Sequence, residues 1–169
     1  MDRTLAQKAT VSLGLETACS IRLQTSWFSD LNKLLELSCI FLRVCCLKAI
    51  AGAWCTSVRL HTAIQWPCIY GCNAARDELK HYLICPVLWQ FARETLRIPE
   101  PSLSIESRLA LVEPSIGKLR VLAFVHSLYH ACRNDPGCVD SVGNILSADR
   151  VQLRASQLCR SVRHLVLND

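Results

Sequence analysis

Apolar and polar positions along most of this chain recur every three or four residues, the period of a helix with one buried face. Leu31, Leu34, Leu35, Phe41, Val44 and Cys45 follow that spacing, and Lys33, Glu36 and Arg43 fall largely on the other side. Ser29 or Asp30 is placed to cap the helix they predict. The pattern predicts continued helix from Leu47 to Leu60, with a kink near Gly52, Trp54 as a core anchor, and Arg59 and His61 at the C-terminal end, where positive charge is favoured. Further helices are predicted over 87–97 behind Pro86, over 104–112, from the Ser115 cap to about Cys132, and from the Ser147 cap to about Leu167. The last is the cleanest amphipathic stretch. Val151, Ala155, Leu158, Val162 and Leu165 form its stripe, opposite Arg150, Arg154, Arg160, Arg163 and His164.

Two interruptions divide this helical text. Pro99 and Pro101 cannot both be helix interior, so the stretch from Ile98 to Ser102 reads as a linker. Residues 1–26 carry no sustained period and read as a weakly structured N-terminal segment. The expected organisation is therefore a helical segment over 27–62, a compact segment over 66–97 and a helical region over 98–169. The fold class is mostly α, interrupted by one small clip.

That clip is chemically distinct. Cys68 and Cys72 lie four positions apart around Gly71, and His81 and Cys85 are spaced the same way. Three thiols and an imidazole within one short loop are the inventory of a closed tetrahedral zinc site. Gly71 permits a tight turn with positive φ, so both sulfurs can face inward. A helix over 77–85, with Asp77 and Glu78 in its first turn, places His81 and Cys85 on one face. Trp66-Pro67 forces an extended entry, and Trp89 is a cover for the site or a core residue. The competing reading is two ordinary buried cysteines and a surface histidine.

Taken together, Cys68-x3-Cys72-x8-His81-x3-Cys85-Pro86, with Asp77-Glu78-Leu79 before His81-Tyr82 and Trp89 behind, resembles the zinc-binding segment after the polymerase in non-LTR (LINE-type) retrotransposon reverse transcriptases. Ala53-Trp54-Cys55-Thr56-Ser57-x-Arg59 resembles the stretch that precedes it there. The likeness covers mainly residues 45–92. The spacings Cys-x3-Cys and His-x3-Cys depart from the commoner Cys-x2-Cys and His-x4-Cys. The resemblance implies Zn2+ on Cys68, Cys72, His81 and Cys85, RNA or DNA as partner, and a polymerase domain missing from this chain.

Composition adds little that contradicts this. The 169 residues suffice for one domain with a core, and 51% of them are hydrophobic, which argues against disorder. A net charge of +5 leans towards an acidic partner such as nucleic acid. Eleven cysteines, an odd number without a secretory leader, point to an intracellular, reducing compartment, nucleus or cytoplasm. No apolar run is long enough to span a membrane. Cys45 and Cys46 read as core filler. His126-x3-His130-x-Cys132-x5-Cys138 holds two further histidines and thiols, but Cys132 is rotated away from the histidine face. The chain has no adjacent aspartate pair, no phosphate-cradling glycine loop and no serine elbow, so it reads as non-catalytic. The expected function is the C-terminal portion of a retrotransposon-type reverse transcriptase, with Arg150, Arg154, Arg160 and Arg163 as candidate phosphate contacts. The alternative is a helical protein-interaction module with an architectural zinc, a degenerate retroelement fragment.

Overall fold

A computed structural model describes residues 26–72, 75–99 and 104–167. The weakly structured N-terminal segment expected over 1–26 lies outside these residues except for Ser26. The described residues form seven helices: α1 (Ser26–Leu37), α2 (Ile40–Ile50), α3 (Leu79–Tyr82), α4 (Pro86–Leu96), α5 (Ile105–Arg108), α6 (Ile116–Arg133) and α7 (Ala148–Leu167). Among them the only β pairing is two isolated antiparallel bridges, Pro67 with Arg76 and Val139 with Ile145. No helix among the described residues is long and apolar enough to cross a membrane.

The chain forms two compact units that interleave along the sequence. Among the described residues, the first holds 26–54 and 104–123, and the second holds 55–72, 75–99 and 124–167. The stretches expected as 27–62 and 98–169 are thus each divided between units, and α6 passes from one unit to the other after Ala123.

In the first unit α1 and α2 are two helices where one was expected. Ser38 and Cys39 break the run: the Ser38 hydroxyl donates to the Leu34 carbonyl at 2.6 Å, and the Cys39 sulfur accepts from the Leu42 amide at 3.3 Å as N-cap. The break resets the buried face. Leu31, Leu35, Leu42, Cys45, Cys46, Ala49 and Ile50 are buried, whereas Val44 is exposed. Cys46 donates to the Leu119 carbonyl at 3.6 Å, and burial pushes its thiol up to about 12, the behaviour of an inert core residue. The helix expected to run on to Leu60 ends at Ile50. Gly52 takes φ +65°, a left-handed conformation that closes a helix rather than kinking it. Trp54 is fully buried. The helix expected over 104–112 is a single turn capped by Ser104, whose hydroxyl accepts from the Ser107 amide at 3.1 Å.

In the second unit, the C-terminal part of α6 and the helices α4 and α7 enclose the clip. Phe124, Val125, Leu128, Tyr129 and Cys132 are buried along α6. The buried stripe of α7 is Val151, Ala155, Cys159, Val162 and Val166. It is rotated from the expected stripe: Leu165 is 55% exposed, and Cys159 and Val166 point inward. The α6–α7 turn is held by Arg154, whose Nε and Nη2 each donate to an Asp135 carboxylate oxygen at 3.0 Å.

That fork carries a pH signature. The hydrogen bonds from Arg154 hold the Asp135 carboxyl below its ordinary 3.8. A depressed folded-state value means that the pair stabilises the fold above the unfolded-state value and loses its effect as pH falls through the folded one. Asp135→Asn is expected to melt below the wild type at neutral pH, with the gap closing as pH drops below 3.8. Thermal melts across an acid series check this; a gap independent of pH would contradict it.

Candidate metal centre

The clip is built from a bridge, a turn and two helix ends. Pro67 pairs with Arg76; the Cys68 amide donates to the Ala75 carbonyl at 2.8 Å and the Asp77 amide to the Trp66 carbonyl at 2.9 Å. Between these arms Gly71 turns with φ +81°, and its amide donates to the Cys68 carbonyl at 3.0 Å. The second pair of ligands does not share a helix as expected. His81 is in the single turn α3, which ends at Tyr82, and Cys85 is the N-cap of α4 with φ −58° and ψ 114°. Pro86 is the reason: its ring keeps the preceding residue out of the α region and starts the next helix at its own position. Two helix ends meeting at a corner, rather than one helical face, bring His81 and Cys85 together.

The four donor atoms of Cys68, Cys72, His81 and Cys85 all lie within 4.8 Å of one another. The Cys85 sulfur is 4.0 Å from that of Cys68 and 3.5 Å from that of Cys72. Four ligands around one zinc-sized ion lie roughly 3.4–3.8 Å apart along the edges of the tetrahedron. The Cys72–Cys85 separation falls within that range and the Cys68–Cys85 separation lies just above it, both far from the ~2 Å of a disulfide. His81 Nε2 is buried without a hydrogen-bond partner among the described residues. Cys68 and Cys85 are fully buried, and Cys72 and His81 are half-buried at the rim. The cluster is a site that could hold a metal ion.

Its electrostatics favour a cation. The hydrogen bond from Cys85, aided by one from His81, holds the Cys68 thiol well below the ordinary thiol range. Cys85 is raised, first by donating to Cys68 and then by burial; Cys72 is raised by burial and then by the Cys68 charge. Three sulfurs crowded in one half-buried pocket, with Cys68 shifted towards its anionic form, are a site that a divalent ion would neutralise.

Around the ligands lies a buried polar network. Asp77 is fully buried. Its Oδ1 accepts from the hydroxyls of Tyr82 and Tyr129, both at 2.8 Å. Its Oδ2 accepts from the Ser57 amide at 2.5 Å and from Arg133 Nη1 at 3.1 Å. Burial, and then the Asp77 charge, raises both phenols, so both remain protonated donors. Tyr82 Oη also accepts from the Ile69 amide at 3.2 Å. Arg133 lies over the Trp66 ring, 4.3 Å from its centroid. Trp89 is buried and donates from Nε1 to the Tyr82 carbonyl at 3.0 Å. It is a core residue that braces the His81 turn. The Asp77 network escaped the sequence reading, which gave Asp77 only a place in a first helical turn; no local period marks a carboxylate three of whose four donors lie 20 to 56 positions away.

The second His/Cys set forms no comparable group among the described residues. The His126 and His130 ring centroids lie 4.4 Å apart, and Cys132 and Cys138 are buried. Of the basic residues on α7, Arg150, Arg160 and Arg163 are exposed, and Arg154 is engaged by Asp135. Compared with protein-family models, with curated proteins and with solved structures, the chain matches none.

Gly71 offers a sharp test of how the clip seats. A Cβ there would collide with the Ala148 Cβ at the start of α7, in a backbone conformation that disfavours L side chains. The adjacent Tyr70 carbonyl accepts from Gln152 Nε2 at 2.7 Å, so the turn cannot move off without losing that bond. Gly71→Ala is expected to cost about 2–4 kcal/mol, summing strain and overpacking. Denaturant unfolding measures it; a loss under about 1 kcal/mol would contradict the packing described.

Proposed function

We propose that Cys68, Cys72, His81 and Cys85 hold Zn2+ in a closed structural site, and that the chain is the non-catalytic C-terminal portion of a LINE-type reverse transcriptase that contacts RNA or DNA. The convergence of the four donors within 4.8 Å of one another, with the Cys85 sulfur 3.5 and 4.0 Å from its partners, carries the metal half of this reading. Three cysteine sulfurs and an imidazole form a soft donor set suited to zinc and ill-suited to magnesium or calcium. Four protein ligands leave no open position for a reacting water, so the ion would serve as a cross-link between the two arms. Asp77 and Asp135 are engaged by arginines and Asp140 by its own loop amides, which leaves them unsuited to a two-metal polymerase site.

The nucleic-acid half rests on the residue-level resemblance and on the exposed Arg150, Arg160 and Arg163 of α7. Arg154 is withdrawn from that set by Asp135. The alternative, a protein-interaction module with an architectural zinc, is favoured by Leu153 and Leu165, which are 63% and 55% exposed on the same helix.

Two experiments follow. Purified protein is expected to carry one zinc per chain, and Cys72→Ser to lose affinity and unfold at lower temperature in the presence of metal; a metal-free wild type of unchanged stability on zinc addition would contradict the site. Binding to single-stranded RNA or DNA is expected to fall steeply with salt, and neutralising Arg150, Arg160 and Arg163 together to shallow the log–log slope by about 2. Absence of binding at low salt would remove the nucleic-acid role and favour the interaction module.

A further inference from the structure

We infer that Asp77 is the positioning residue of the clip: it holds both ligand-bearing arms in the metal-binding arrangement and ties them to the C-terminal end of α6. This assignment rests on the metal reading above and adds a determinant of affinity outside the four ligands. Tyr82 is the direct link. Its backbone follows His81, its hydroxyl donates to Asp77 Oδ1, and the same oxygen accepts the Ile69 amide, the residue after Cys68. One phenol oxygen therefore bridges the first arm and the second, and Asp77 fixes where that phenol stands.

The other contacts of Asp77 fix the carboxylate itself. Tyr129 and Arg133, one helical turn apart on α6, donate to its two oxygens at 2.8 and 3.1 Å, and the Ser57 amide closes the set. The Asp77 amide completes the bridge to the Trp66 carbonyl at 2.9 Å, and Arg133 stacks on that Trp66 ring. A buried carboxylate with four donors, none of them a metal ligand, is rigid because releasing any donor leaves a buried charge short of a partner. Outer groups that fix the orientation of ligand-bearing backbone govern how much ordering an ion must impose when it binds. Without Asp77 the arms would still carry four ligands, but the ion would have to organise them.

The test is the zinc affinity of the full-length chain, measured by competition with a chromophoric chelator, together with the Co2+ absorption spectrum of the same proteins. Asp77→Asn is expected to weaken zinc about 10- to 100-fold. Tyr129→Phe, which removes one donor and touches no ligand, is expected to weaken it roughly 3- to 10-fold and decides the matter if Asp77→Asn does not fold. Both should retain the thiolate-to-cobalt charge-transfer bands, because the ligand set is unchanged. Val166→Ala, a buried α7 change away from the network, should lower the melting temperature without moving the zinc affinity. Affinities of Asp77→Asn and Tyr129→Phe within about twofold of wild type would make the network merely structural and overturn the assignment, with the metal reading intact. A wild type that binds neither zinc nor cobalt would overturn the metal reading and this assignment together.

Discussion

Three thiols and one imidazole must reach a common point from two short arms, and the second unit is arranged so that they do. The clip has little core of its own. Its helical content is the single turn α3 and the first residues of α4, and an isolated turn has no stability in water. What holds the arms is a β bridge, a buried carboxylate and the helices packed against them. With an ion in place the balance would change: structural zinc contributes on the order of 10 kcal/mol in small domains, against about 1 kcal/mol for a typical net hydrogen bond.

The arrangement before metal is nonetheless not slack. Asp77 and Arg133 are a buried pair, and removing one member of such a pair costs about 3–5 kcal/mol because a charge is left stranded. Gly71 brings the turn into van der Waals range of Ala148, and Gln152 fastens it there. Trp89 reaches back to the carbonyl that ends α3. Each of these contacts acts on backbone next to a ligand rather than on a ligand itself.

The cluster of Cys68, Cys72, His81 and Cys85 was legible in the sequence because thiols and an imidazole at short, repeated intervals are a donor set that could hold a metal. So were α6 and α7, which begin directly after Ser115 and Ser147 and whose apolar faces extend over many turns. Shorter signals misled where local chemistry overrode periodicity. The apolar pattern ran straight through Ser38 and Cys39, but a hydroxyl and a sulfur that satisfy helix-end groups split the run into α1 and α2. The helix expected over 77–85 neglected the constraint that Pro86 imposes on Cys85, although the same proline was read correctly as the start of α4. The α7 stripe was placed from leucines, whereas burial followed Cys159 and Val166 and left Leu165 outside. Arg154 looked like its neighbours along the helix; its partner Asp135 is 19 positions away, which no local pattern reveals.

The proposed role as a reverse-transcriptase tail rests on residues around the clip, and the metal is the part of it with the most direct physical support. X-ray absorption at the zinc edge of the purified chain addresses that part without recourse to activity. The account predicts three sulfurs at about 2.3 Å and one nitrogen at about 2.0–2.1 Å around the ion. Coordination by oxygen and nitrogen only, or a fully folded chain that retains no zinc, would contradict it.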